Sequence, residues 1–250
     1  MKARKILWAI AMAGAVLTVP SIGQGANFGI GQVLGKTYAE WSAEWWKWAF
    51  DSEFVQFQSG NIDCSSSQNG AVWFLGGTFT GGPEDRTCTQ RIPQGKALFF
   101  PLVNFAFWNP DDSCPPEANH NCTVEEKRAR MDGFFSDQVP GNLLGSFETY
   151  ACQLSATIDG IPVQNLGNPI VRTQSPVFPI IYPPDDVNDP EMVSDGYWVA
   201  LPPLSSGEHT IHFTGGLCYF SDSPEAIMNG TPPLFLVDLT YHVTVGGGFR

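Results

Sequence analysis

Histidines and acids that fall on one side of an extended segment are the first place to look for chemistry. In His209–Leu217, the residues Thr210, His212 and Thr214 share one strand face, while His209, Ile211 and Phe213 share the other. In Leu234–Val245, the polar face holds Asp238, Thr240, His242 and Thr244. If these two strands pair, His212, His242 and Asp238 meet on one surface, as a proton relay or as a two-histidine, one-carboxylate set for a divalent metal. Surface histidines within a threonine ladder are the structural alternative.

Two loops carry ligand atoms of another kind. Between 108 and 122, Trp108 and Asn109 precede Asp111, Asp112 and His120, with Cys114 and Cys122 bracketing the loop. An indole beside carboxylates and amides gives a sugar ring a flat apolar surface and acceptors for its hydroxyls. The adjacent Asp pair also suits calcium, and the same residues would make an acidic turn stiffened by a disulfide. Further on, Asp185, Asp186, Asn188, Asp189, Glu191 and Asp195 put five carboxylates and one amide into eleven residues. These are the hard oxygens that Ca²⁺ prefers, although the spacing lacks the glycine of an EF-hand loop, and a solvated acidic loop is the alternative reading.

Several common catalytic signatures are missing. The chain has no G-x-S-x-G elbow, no P-loop, no G-x-G-x-x-G opening a helix and no H-E-x-x-H. Classical serine hydrolases, nucleotide-binding folds and zincins lose their usual support.

The elements that must position these residues are mostly strands. Candidates are Val72–Phe79, Lys96–Phe107, Phe147–Ile158, Ile161–Asn165, Tyr197–Leu204, His209–Leu217 and Leu234–Val245. Asp159-Gly160 between Ile158 and Ile161 predicts a two-residue hairpin, and Ser205-Ser206-Gly207 predicts another. Two helices interrupt the strands, at 37–51 and 124–139, each opened by a capping box: Thr37 with Glu40, and Thr123 with Glu126. On the first helix Tyr38, Trp41, Trp45 and Trp48 recur at helical spacing, with Glu40, Glu44, Lys47 and Asp51 opposite. That pattern predicts a helix whose indoles fill a core, leaving Trp108 and Trp198 as indoles for a ligand. On the second helix, Glu125, Glu126, Lys127, Arg128 and Arg130 read as a solvated face. The predicted fold is mainly β, an antiparallel β-sandwich or jelly roll with two helices and long loops, forming a single domain over 26–250.

Residues 1–25 read as a secretory signal peptide cleaved near 23–26: Lys2, Arg4 and Lys5, then an apolar run from Ile6 to Val19, then small residues. The run falls short of the ~20 residues that span a bilayer, and no later segment is long or apolar enough, so stable membrane insertion is not expected. A secreted or periplasmic location follows. It also explains an even count of six cysteines, Cys64, Cys88, Cys114, Cys122, Cys152 and Cys218, as three disulfides. Sequence context pairs Cys114 with Cys122 and Cys64 with Cys88, leaving Cys152 and Cys218 as an inter-strand or inter-sheet bridge.

The leader holds three bases and no acid, so its removal deepens the net charge from −12 to −15. Residues 131–249 carry 13 acids against one base, Arg172. Such a surface repels phosphate backbones, which excludes nucleic acid as a partner.

The segments Gly35–Trp48, Val72–Thr78, Ile92–Pro101, Asp195–Val199 and Gly207–Phe213 resemble a group of exported bacterial proteins, through a Y-x-E-W-x-x-x-W-W-x-W helix and a G-x-H-T-I-H-F strand. The similarity spans nearly the whole mature chain. It implies a bacterial source and brings no activity, cofactor or catalytic residue with it. Three functions fit the residues: a module that binds a neutral or cationic ligand, carbohydrate above all; a secreted hydrolase or lyase of polymers or glycans, working through carboxylates or a bound metal; or a structural extracytoplasmic subunit.

Overall fold

Two large sheets share a core: one alternates apolar and polar side chains with its apolar side inward, and the central strands of the other are apolar on both sides. The computed structural model describes residues 28–29, 32–107, 122–135, 149–163, 170–182, 187–219 and 232–246. The leader, the loop 108–121 and residues 183–186 therefore lie outside the described residues. The strands are β1 (Phe28–Gly29), β2 (Gln32–Val33), β3 (Lys36–Thr37), β4 (Gly60–Ile62), β5 (Val72–Phe74), β6 (Gly82–Cys88), β7 (Ala97–Phe107), β8 (Thr149–Ile158), β9 (Ile161–Pro162), β10 (Ile170–Gln174), β11 (Phe178–Tyr182), β12 (Val187–Leu201), β13 (Gly207–Tyr219) and β14 (Phe235–Val245); the helices are α1 (Tyr38–Asp51) and α2 (Val124–Phe135).

Strands β10-β12-β7-β5, with β11 also on β12, form a five-stranded sheet; β4-β6-β14-β13-β8-β9 form a six-stranded one; β1-β2-β3 make a small meander. The core between the two large sheets holds Trp73, Leu98, Phe100, Leu102 and Val199 from one side, and Ile211, Phe213, Leu239, Tyr241 and Val243 from the other. The mainly β expectation holds, with one revision of strand direction. The pairs β5–β7, β4–β6 and β6–β14 are parallel, because the chain crosses between sheets from β5 to β6 and from β6 to β7.

The Asp159-Gly160 hairpin is present: Ile158 faces Ile161, and both turn residues have positive φ. The Ser205-Ser206-Gly207 hairpin is not. Leu201 ends β12 in one sheet and Gly207 starts β13 in the other. Pro202 and Pro203 lack the N–H groups that would prolong the β12 ladder, so the chain changes sheets there. Strands β6, β10 and β11 were invisible to pattern reading. In β6 the inward positions include Glu84 and Arg86, which breaks the apolar alternation.

Helix α1 forms as its capping box dictates. Thr37 Oγ1 accepts from Glu40 N–H, and the Glu40 carboxylate accepts from Thr37 N–H at 2.7 Å. Its indole stripe packs on the outer surface of the five-stranded sheet, against Phe74, Phe99, Ala200 and Trp198. Trp198 is fully buried, stacked on Phe99 at 5.2 Å and set edge-on to Trp45 at 5.4 Å. The structure thus removes it from the indoles free to meet a ligand.

Helix α2 corrects the solvated-face expectation. Lys127 is fully buried and donates to Asp189 Oδ2 at 2.6 Å and to the Glu191 carbonyl at 2.9 Å. Arg128 donates to Gln174 Oε1 and the Ser175 carbonyl. Lys127 lies three residues after Val124 and four before Met131, on the apolar stripe itself.

The bridge Cys64–Cys88 joins the segment after β4 to the end of β6, and Cys152–Cys218 is an inter-strand bridge between β8 and β13. Cys122 is disulfide-bonded, and its expected partner Cys114 lies outside the described residues. No helix among the described residues is long and apolar enough to cross a membrane.

Candidate functional site

Pairing of β13 with β14 sets Thr210 opposite His242, His212 opposite Thr240, and Thr214 opposite Asp238. Strand β6 adds Asp85 opposite Thr240 and Thr87 opposite His242, and β8 adds Thr157 opposite His212. The period-two geometry of strands then places all of these side chains on the outer face of the six-stranded sheet. No described element packs over that face, and His242, Thr87, Asp85 and Glu208 are exposed.

The two strands pair as the pattern predicts, but the trio His212, His242 and Asp238 divides. His212 Nε2 meets Asp238 Oδ1 at 2.9 Å, reaching diagonally across the ladder. His242 Nε2 meets Asp85 Oδ2 at 3.2 Å, while its Nδ1 lies 3.5 Å from Thr210 Oγ1. Each imidazole has its own carboxylate, and among the described residues no three His, Cys, Asp or Glu side chains are grouped to hold a metal ion.

A third imidazole, His209, which the strand alternation sets on the face of Ile211 and Phe213, was given no chemical role by the sequence. It is buried on the inner side of β13, with Nδ1 at 2.8 Å from Asp159 Oδ2 and Nε2 at 2.9 Å from the Ser205 carbonyl. Asp159 also accepts from Thr210 N–H through Oδ1, which ties the hairpin turn to β13.

Near this corner lies a groove of about 310 Å³, lined by Thr87, Asp159, Glu208, Thr210, His242 and Thr244, with Cys88, His209 and Val243 behind them. Hydroxyls that donate and accept, carboxylates that accept and two imidazoles surround it, and no lysine or arginine is among these lining residues. Such a lining satisfies a ligand rich in hydroxyls or amines and gives an anion no counter-charge. Glu208 was legible in principle, since it continues the polar face of Thr210, His212 and Thr214. Asp85 was not, because β6 shows no apolar alternation.

The other sequence candidates are scattered. Trp108, Asn109, Asp111, Asp112 and His120 lie outside the described residues, as do Asp185 and Asp186. The chain enters that first loop from Phe107, the far end of β7 from the groove, about 30 Å along the strand. The remaining acids belong to strand β12 rather than to a loop. Asp189 is buried against Lys127 and accepts from Glu191 N–H. Asp195, also buried, meets Arg172 at 2.9 Å, accepts from Gln174 Nε2 and caps Gly196 N–H. Asn188 and Glu191 are exposed on the same strand. The two buried carboxylates are thus each met by a cation of the protein itself, Asp189 by Lys127 and Asp195 by Arg172.

Beneath the face lies a buried charge relay. Arg86 is fully buried and donates to Glu84 Oε2 at 2.6 Å, to the carbonyls of Gln56 and Gly77, and to Tyr241 Oη. Burial alone would raise the Glu84 pKa, but hydrogen bonds from Thr78, Arg86 and Ser59 together with the Arg86 charge hold it below the usual carboxylate range. Burial pushes the Tyr241 hydroxyl upward. This network joins β6 and β14 to the segment that follows α1, and so braces the strands that carry Asp85 and His242.

No family model matches this chain, and neither a curated protein nor a solved structure matches it significantly.

Proposed function

We propose that this protein is an exported binding module whose ligand is neutral or cationic and rich in hydroxyls, carbohydrate being the class that fits best. One observation carries the reading: a groove of about 310 Å³, bordered by Thr87, Thr210, Thr244, Glu208, Asp159 and His242, on a sheet face that no described element covers. Hydroxyl side chains at strand spacing recognise polyols through paired donation and acceptance. The net charge of −15 without the leader disfavours anionic ligands in the same sense. Export rests on the leader-like residues 1–25 and the disulfides.

Retention on a panel of neutral and amino polysaccharides tests the reading, with Glu208→Gln and His242→Ala as comparators. Each substitution should weaken binding by about tenfold or more, the value of one lost charge-assisted hydrogen bond. Retention by neither wild type nor variants, or equal retention by all three, overturns the groove as the site. Shortening of the polymer in the same mixture would instead favour a secreted hydrolase, with the His212 and Asp238 pair as its general base.

A further inference from the structure

Around the groove, β6, β13, β14 and the turn at Asp159 bring four acids to the open side of the six-stranded sheet, and three of them are already engaged by the protein. Asp238 Oδ1 meets His212 at 2.9 Å, and Asp85 Oδ2 meets His242 at 3.2 Å. Asp159 spends both oxygens, Oδ1 on the Thr210 N–H and Oδ2 on His209, each at 2.8 Å. The fourth, Glu208, is exposed and has no hydrogen bond or ion pair among the described residues.

Register sets free hydroxyls beside that carboxylate. Glu208 stands opposite Thr244 on β14, and Thr87 on β6 stands opposite His242. All three line the groove, and neither Thr87 nor Thr244 has its hydroxyl in a hydrogen bond among the described residues. With strands about 4.8 Å apart and about 3.3 Å per residue, the backbone positions of Glu208 and Thr87 lie roughly 12 Å from each other, more than the breadth of one sugar ring. Arg91 precedes Ile92, which bridges to Val245 on the side of β14 away from β13. That base therefore stands across β14 from Glu208 and outside the lining.

We infer that, given the carbohydrate site on which this rests, its ligand is an amino sugar chain, with a protonated amine on Glu208 and neighbouring hydroxyls on Thr87 and Thr244. An ammonium carries three donors, and an unengaged carboxylate accepts them in charge-assisted form. An acetylated nitrogen in the same place offers one N–H and no charge, so Glu208 stays without a counter-ion. The other three carboxylates offer an amine less, because their oxygens already accept from imidazoles or a backbone N–H. An acidic sugar would set its carboxylate against Glu208 with no cation in the lining. The net charge of −15 without the leader attracts any cation from a distance, and Glu208 fixes where an amine is held.

The test titrates the full chain calorimetrically with a glucosamine tetrasaccharide and with its N-acetylated counterpart, at about pH 6, where a glutamate is ionised. Wild type should bind the amino form at least about tenfold more tightly. Glu208→Gln keeps the shape of the side chain and should bring the two ligands to within about twofold of each other. Glu125→Gln removes the same charge from an exposed position on α2 and should leave the preference intact. Thr244→Val should weaken both ligands by a similar factor, about threefold or more. Equal binding of both forms by wild type overturns the inference and leaves the groove as a carbohydrate site. Persistence of the preference in Glu208→Gln, or its equal loss in Glu125→Gln, also overturns it, since the field of the whole chain would then account for the difference. Unchanged binding of both forms by Thr244→Val does so too, because the amine would then be held without the sugar. Binding of neither form overturns the carbohydrate reading itself.

Discussion

Phe74, Phe99, Trp198 and Ala200 cover the outer face of the five-stranded sheet, and α1 closes over them; Asp85, Thr87, His212, Thr240 and His242 cover the outer face of the six-stranded sheet, which no described element closes. Both sheets spend one side of their alternation on the shared core. They differ in what occupies the other side, and that decides whether a further layer is recruited. Burying an apolar face gains about 25 cal/mol per Å², whereas covering a face of hydroxyls and carboxylates gains nothing unless every polar group finds a partner. The layer that the tryptophans build is therefore the stable half of the molecule, and the face left to water is where recognition is available.

The comparison breaks most visibly at Trp45, fully buried among Trp46, Trp48, Phe57 and Trp198, with its N–H on the Leu75 carbonyl at 2.9 Å. Trp45→Ala should cost about 3–5 kcal/mol in denaturant unfolding; a loss below about 1 kcal/mol would mean that α1 is not a structural layer. Glu84, at the junction between the two halves, gives the next effect, as a slope with pH. A carboxylate whose folded pKa lies below its unfolded value contributes stability above the unfolded value of about 4.3, and that stability is lost as pH falls through the folded pKa. Wild type should accordingly lose stability below about pH 4.3 more steeply than Glu84→Gln, and parallel acid limbs in urea titrations would show that the Thr78, Ser59 and Arg86 contacts do not act this way. The smallest effect belongs to the open face. His212 and Asp238 are 40% and 30% exposed, so His212→Ala should change unfolding free energy by no more than about 0.5 kcal/mol; a loss above 1.5 kcal/mol would place that pair among the structural supports and blur the contrast.

Much of this division was legible in the chain. The capping box and the 3-4-3 spacing of Tyr38, Trp41, Trp45 and Trp48 locate α1 and its buried stripe, and alternation in 209–217 and 234–245 places His212, His242 and Asp238 on one polar face. The partners of those histidines were only half legible. Asp238 lies on the neighbouring strand that the pattern had identified, whereas Asp85 comes from β6, which has no apolar alternation to mark it as a strand. The acids of 185–195 resembled a cation site because spacing reveals nothing of Lys127 and Arg172, which reach them from α2 and β10.

By itself the sequence determined what acts over a few residues: where α1 starts, the turn at Asp159-Gly160, which strands have one wet side, and the acidic balance that turns anions away. Tertiary structure decided which groups meet across the chain. The pair of His212 with Asp238 spans 26 residues, that of Lys127 with Asp189 spans 62, and that of His242 with Asp85 spans 157. Caps and periodicity are local because hydrogen bonds and side-chain neighbours within an element repeat every two to four residues. An ion pair between elements depends instead on sheet order and register, and the parallel insertion of β6 beside β14 brought Asp85 to His242.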